Sequence, residues 1–278
     1  MKTLKTAFLL TALTLLLLFL GQAFGGERGM TMALVFAVLM NGTAYFFSDK
    51  IALMSSGAKP ISREQAPRLY EVMERLAGKS DLPMPKLYLI PQAAPNAFAT
   101  GRNPSHASVA VTQGLLELMD DEELEGVIAH ELSHVRNYDI LTSSIAATIA
   151  GAITYFARMG MFFGGGGDRR RGGGIGAILM LVLAPLAALM LQMGISRQRE
   201  YEADSSGVKM VGHPYGLIRA LEKLGAYNKR IPMDISPSTS ALMIVAPFSP
   251  GQILSGLFST HPPLADRIAQ LRAMTVTR

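Results

Sequence analysis

Along the 278 residues the apolar positions fall into two kinds of pattern, continuous runs and periodic ones. Four runs are continuous: Thr6 to Phe24, Thr31 to Phe47, Ile140 to Phe163 and Ile175 to Ile195. Each approaches the ~20 residues a helix needs to cross a hydrocarbon core about 30 Å thick. Lys2 and Lys5 precede the first run, and Gly25-Gly26-Glu27-Arg28-Gly29 separates it from the second. This predicts a tight transmembrane helical hairpin over residues 1–48 with its N-terminus in the cytoplasm. Small residues at Gln22 to Gly26 also suit a cleaved signal peptide, but the run is longer than a usual signal core and favours an uncleaved anchor. The later runs make a second hydrophobic hairpin, residues 140–195, joined by a flexible Gly/Arg-rich linker at 164–174. Thr142, Ser143, Ser144, Arg158 and Gln192 interrupt it, and polar groups in a membrane need partners. Arg169 to Arg171 on its outer side oppose the positive-inside bias. A spanning pair and a re-entrant pair packed against the polar domain remain open; both return the chain to the same side.

The periodic patterns occupy residues 49–139 and 196–278. Ser62-Arg63-Glu64-Gln65 resembles a capping box, and Leu69, Tyr70, Val72, Met73 and Leu76 recur behind it at helical spacing. Lys86–Ile90 and Ala107–Thr112 read as short strands, with Asn96 to Thr100 between them. Asp120 is a candidate N-cap; Asp121, Glu122 and Glu123 place negative charge in the first turn, and Leu124, Val127, Ile128 and Val135 supply an apolar face. Gly212-His213-Pro214 opens another helix through Leu224, with His213 as a cap or surface residue. Ile231 to Thr260, rich in Pro, Ser and Gly, reads as a long loop over the site, within which Ala241 to Val245 fits a strand, a buried turn or a membrane-dipping loop.

Composition agrees with membrane insertion. Hydrophobic residues make up 49% and charged residues 17%, with a mean hydropathy of +0.28. That is less charged than an ordinary soluble domain. The net charge of +5 suits cytoplasmic parts that meet anionic lipid, and no nucleic-acid motif accompanies it. There is no Cys, so disulfides and thiolate ligands are excluded and a metal must be held by N and O atoms.

The helix after Asp120 carries His130-Glu131-Leu132-Ser133-His134. Residues four apart lie one turn above each other, so the two imidazoles can bind one cation while Glu131 flanks the open position as a general base. A third protein ligand is needed. The metzincin extension is excluded, because Asn137 and Ile140 stand where its Gly and third His belong. A carboxylate from a later helix is the alternative, and Glu200 and Asp204 share a helical face; one can bind metal while the other orients a ligating histidine.

His130 to His134, then Arg199-Glu200-Tyr201-Glu202-Ala203-Asp204, then His261-Pro262-Pro263-Leu264-Ala265-Asp266-Arg267-Ile268 resemble the HtpX membrane-anchored metallopeptidases, relatives of the CaaX prenyl endopeptidases. The resemblance covers nearly the whole chain. It implies Glu200 as third ligand of one zinc ion (Zn2+) per chain, Asp204 as its outer partner, Asn96-Ala97-Phe98-Ala99 on an edge strand along the substrate cleft, and His261 and Arg267 approaching from the C-terminal segment. His261 equally fits a cap for the helix that follows. The expected fold is α+β and mostly helical: a gluzincin-like zinc peptidase domain with a small β-sheet, plus transmembrane hairpins. The resemblance implies an endopeptidase of the bacterial inner membrane, facing the cytoplasm and cleaving polypeptides, membrane proteins included, in quality control and stress response. Self-cleavage in the 231–260 loop or at a terminus is expected too. A prenyl-protein processing endopeptidase, and a non-catalytic scaffold holding a structural metal, are the other readings.

Overall fold

The structure, a computed structural model, describes residues 2–163, 197–228, 230, 237–245 and 262–274. The run Ile175 to Ile195, the 164–174 linker, His261 and most of the 231–260 loop lie outside the described residues.

Helix α1 (Lys2–Ser55) is two helices that meet at Gly26, whose φ of 58° and ψ of −148° break the helical path. Glycine tolerates that conformation because it has no Cβ. The chain folds back there, so Asn41 Nδ2 lies 2.8 Å from Thr14 Oγ1 and 3.4 Å from the Leu10 carbonyl. A Cβ on Gly29 would sit 2.3 Å from the Gly21 carbonyl oxygen, so the two limbs touch through bare backbone. Gly25–Ser55 is long and apolar enough to cross a membrane; Thr6–Phe19 and Asp139–Ile153 are shorter apolar helices. Val35, Val38 and Leu39 are more than half exposed.

Beyond α1 come β1 (Lys59–Pro60), α2 (Pro67–Lys79), β2 (Lys86–Ile90), β3 (Ala97–Gly101) and β4 (Ala107–Thr112). Then follow α3 (Gln113–Leu118), α4 (Asp121–Arg136), α5 (Asp139–Phe163), α6 (Arg197–Val211), α7 (Tyr215–Asn228), α8 (Pro237–Ser240) and α9 (Leu264–Ala273). The sheet order is β1-β2-β4-β3. β2 runs parallel to β4, while β1–β2 and β3–β4 are antiparallel, with Ala97 opposite Val111 and Gly101 opposite Ala107. β3 is therefore an edge.

The Ser62-to-Gln65 capping box does not open a helix. Gln65 accepts from the Ser62 N–H at 2.9 Å within a turn, and α2 begins at Pro67 after Ala66 in a non-helical conformation. Proline at 67 disfavours helical geometry in the residue before it, which delays the helix.

α4 forms as its pattern predicts. Asp120 accepts from the Glu123 N–H and Glu123 accepts from the Asp120 N–H, both at 2.9 Å. Leu124, Val127, Ile128, Leu132 and Val135 are completely buried, each contributing about 1.5–3 kcal/mol by removal from water. α4 packs on α2, α6 and α7. It crosses α7 closely enough that a Cβ on Gly216 would lie 2.0 Å from the Glu122 carbonyl. The opening turns of α5 are sandwiched between β3 and α1: Ser144 Oγ is 2.7 Å from Thr100 Oγ1, Thr142 Oγ1 is 2.8 Å from Thr6 Oγ1, and Ile145 and Ile149 pack with Leu13 and Ala44.

Candidate metal centre

Capping at Asp120 fixes the start of α4, and its helical repeat then aims both histidines the same way. His130 and His134 Nε2 lie 3.2 Å apart, with the rings edge to face. α6 brings Glu200 to the same point: Oε2 is 3.7 Å from His130 Nε2, and Oε1 is 3.5 Å from His134 Nε2. Tetrahedral zinc with bonds of ~2.0–2.1 Å would hold its ligand atoms about 3.3 Å apart, close to all three separations.

The histidines' other nitrogens decide what converges there. His130 Nδ1 is 2.9 Å from Asp204 Oδ1, and His134 Nδ1 is 3.6 Å from Asp139 Oδ2. Protons belong on the nitrogens that face carboxylates, so both Nε2 atoms present lone pairs to one another and to Glu200. Acceptors this close repel unless a cation lies between them. The donor set, two imidazoles and one carboxylate without sulfur, fits zinc with a position left for water.

Electrostatics treats the two rings differently. Burial pushes the His130 pKa down; Asp204 opposes, but the ring stays below its ordinary value and therefore neutral. Burial also lowers His134, yet Asp139, Glu200 and Glu131 outweigh it and leave its pKa raised. Burial would raise Asp204, but the Arg267 charge and hydrogen bonds, with His130, hold it below the usual aspartate range. Glu131 is raised to about 7, first by burial and then by Glu200, against the pull of His134 and an N–H donated by Ala99. A carboxylate held there is suited to accepting and returning a proton near neutrality.

Arg267, on α9, is fully buried. Its guanidinium grips Asp204 with two bonds of 2.8 and 2.7 Å and passes 3.4 Å from His130 Nδ1. It thus stands behind the candidate ligands and braces them. Glu202 faces away, exposed, accepting from Gln198 at 3.0 Å. Asn96 and Ala97, both fully buried, lie at the start of the edge; Phe98 is packed under the sheet among Ile90, Ala110 and Leu53. The Ala241–Val245 segment is a buried turn. His213 is half-exposed, 3.5 Å from Glu122.

Asp139 was not foreseen. It is buried, beside His134, with Arg199 Nη1 3.8 Å from its second oxygen. Tyr138 before it takes a left-handed φ of 58°, a turn that ends α4 and swings Asp139 back to the histidine. An acidic residue five positions past the motif, heading an apolar run that has no use for charge, was the available signal.

Residues 63–275 match the family model described as Peptidase family M48. A protein described as "Protease HtpX homolog" from Desulfatibacillum aliphaticivorans is 54% identical over 273 residues, covering 96% of this chain and 88% of that one. One with the same description from Thermodesulfovibrio yellowstonii is 52% identical over 279 residues, covering 99% of each. The crystal structure of S. mikatae Ste24p superposes with a TM-score of 0.53 at 21% identity, over 97% of this chain and 64% of that one. The chain thus spans less than two thirds of Ste24p, and the likeness there is one of fold.

Proposed function

The chain belongs to peptidase family M48, and from that premise we propose that it is a membrane-integral zinc endopeptidase that cleaves misfolded or damaged membrane proteins from the cytoplasmic side. It is a metallopeptidase by family; substrate, metal identity and orientation are our reading. The observation that carries it is the triangle of His130 Nε2, His134 Nε2 and Glu200, with edges of 3.2, 3.5 and 3.7 Å.

His130, His134 and Glu200 would hold the zinc, which when bound supplies the Lewis acidity that makes water nucleophilic and a peptide carbonyl electrophilic. The protein does the rest. Glu131 takes a proton from the attacking water and returns it to the leaving amine. The Ala99 N–H orients the Glu131 carboxylate. Asp204 and Asp139 keep both imidazoles turned toward the metal position, and Arg267 neutralises the buried Asp204.

The membrane part of the reading rests on Gly25–Ser55 and on apolar side chains left exposed along it, such as Val38 at 63% and Leu39 at 65%. A soluble protein rarely exposes such a surface, whereas lipid covers it without cost. Two pairs of polar side chains in this region meet each other, Thr6 with Thr142 and Asn41 with Thr14, as suits intramembrane polar groups. Residues 1–48 would form the anchoring hairpin, 140–195 the second hydrophobic hairpin beyond the docked turns of α5, and 49–139 with 196–278 the peptidase domain. Ala52 and Leu53, at the end of α1, pack with Phe98 of β3, so the cleft would sit at the bilayer surface, within reach of unfolded membrane proteins. Self-cleavage of the 231–260 loop belongs to the same reading.

The test uses detergent-solubilised protein and unfolded casein. Cleavage should require zinc and stop with a chelator. Glu131→Gln should keep one zinc per chain and lose about 10²- to 10⁴-fold in rate. Wild-type rates in that variant would remove Glu131 from the mechanism, and chelator-insensitive cleavage would remove the metal.

A further inference from the structure

Two residues of the described 237–245 segment, Ile244 and Val245, have every backbone polar group bound, and by the groups expected to line the substrate cleft. The Ile244 N–H donates to the Ala97 carbonyl at 2.9 Å. Arg267 Nη1 donates to the Ile244 carbonyl at 2.9 Å. Asn96 meets Val245 with its side-chain amide: Nδ2 donates to the Val245 carbonyl at 2.8 Å, and Oδ1 accepts from the Val245 N–H at 3.4 Å. All four peptide groups of the dipeptide are thus satisfied. The register explains why Ala97 is available. Asn96 exchanges bonds with Thr112 on the β4 side, so by the alternation of an antiparallel ladder the N–H and C=O of 97 and 99 point off the sheet edge. At 99 the N–H goes to Glu131; at 97 the carbonyl goes to Ile244. The same edge therefore serves the general base and, two residues away, a length of the protein's own chain.

Resting on the endopeptidase reading, we infer that Asn96, Ala97 and Arg267 form a binding site for the backbone of an extended peptide with aliphatic side chains, and that Ile244–Val245 is its internal occupant, displaced when substrate enters. An edge strand that binds peptides by strand addition must be kept from binding indiscriminately. Covering it with a short stretch of the same chain does this without a second protein. The occupant's chemistry describes the ligand: Ile244 and Val245 side chains are buried with the main core, so the site takes β-branched or other aliphatic residues, and it reads no side-chain polar group. The segment is also placed to sense the membrane helices. Thr239 Oγ1 is 2.8 Å from Ser55 Oγ at the end of α1, Met243 packs with Ala52 and Leu53, and Ala241 packs with Ala147 and Ala150 of α5.

The chain has no cysteine, so an introduced thiol is the only one. Val245→Cys in a Glu131→Gln background, which binds but does not cleave, should react slowly with a water-soluble maleimide, since Val245 is 6% exposed. Saturation with unfolded casein, its binding followed by fluorescence anisotropy, should speed the reaction at least about tenfold, as local opening exposes the site. Met243→Cys, fully buried in the same turn, should respond in parallel and serves if Val245→Cys does not fold. Casein that binds while both thiols keep their slow rates would overturn the inference and make the segment a fixed wall. Absence of casein binding together with absence of cleavage by the unaltered enzyme would instead sink the endopeptidase reading, and this inference with it.

Discussion

Three carboxylates on α6 lie within five residues, yet each has a different fate, set by which way it points. Glu200 faces the histidines, Asp204 the back of His130, and Glu202 solvent. Glu200→Ala should therefore abolish zinc retention and proteolysis. Asp204→Ala should weaken zinc about 10- to 100-fold and leave Arg267 buried without its partner. Glu202→Ala should leave both near wild type. Bound zinc after identical dialysis ranks the three, and loss of metal from Glu202→Ala alone would reverse the assigned helix face. Asp139 makes a similar claim for the second histidine. Asp139→Asn keeps the shape but cannot fix the His134 tautomer as firmly, so competition with a chromogenic chelator should show zinc affinity lowered about 10- to 100-fold; unchanged affinity would reduce Asp139 to a helix-end residue. At this scale the sequence was legible where spacing alone decides. The i, i+4 pair and the Glu200–Asp204 face follow from helical geometry. Asp139 does not, because its approach depends on a left-handed Tyr138, and Arg267 could be placed near the site only by resemblance. His261 lies outside the described residues, and its role stays with the expectation drawn from the motif.

α4 is where element and site meet, since a helix that frays from its first turn moves both ligands. Its capping box is reciprocal, and the Asp120 carboxyl sits below its ordinary value, first because the Glu123 N–H donates to it. A carboxylate whose folded value is depressed stabilises fully above its unfolded value, about 4 for aspartate, and loses that contribution as pH falls through the folded value. Asp120→Ala should cost about 1 kcal/mol at neutral pH, and the gap from wild type should close in acid. Thermal melts at pH 7 and through a descending acid series check both halves; a gap that does not narrow as the pH falls would mean the side chain acts other than as a charged cap. The elements most legible from sequence were those whose ends carry local signals: β2 and β4 run over the residues expected, and α4 starts where Asp120 places it. The Ser62 signature misled because Pro67 overrides it. The alternatives for Ala241 to Val245 could not be separated by pattern, because what makes that stretch a buried turn is Asn96, some 150 residues away in sequence.

At the scale of the molecule, the ligands come from pieces that the third and fourth hydrophobic runs hold apart in sequence. His130 and His134 belong to α4, Glu200 to α6, and Arg267 closes the cluster from α9. The inner surface of this junction brings two imidazole nitrogens and a carboxylate to within 3.2 to 3.7 Å of one another. A zinc ion held by these groups would link α4 to α6, and because the unfolded chain does not assemble the three groups, its binding free energy would become folding free energy. At a free concentration a thousand times the dissociation constant, a ligand specific for the native state adds about 4 kcal/mol. For a domain of this size that corresponds to a rise of roughly 10 °C in melting temperature. We therefore expect chelation to lower the melting temperature of the wild-type protein in detergent by about that amount, and restored zinc to recover it. Glu200→Ala should melt at one temperature with or without chelator. Glu131→Gln, which keeps all three ligands, should follow the wild type, separating metal binding from catalysis in a measurement that needs no substrate. A wild-type melt indifferent to chelator, with zinc loss verified on the same sample, would mean that the α4–α6 junction is held by packing alone and that the triangle adds nothing to the fold.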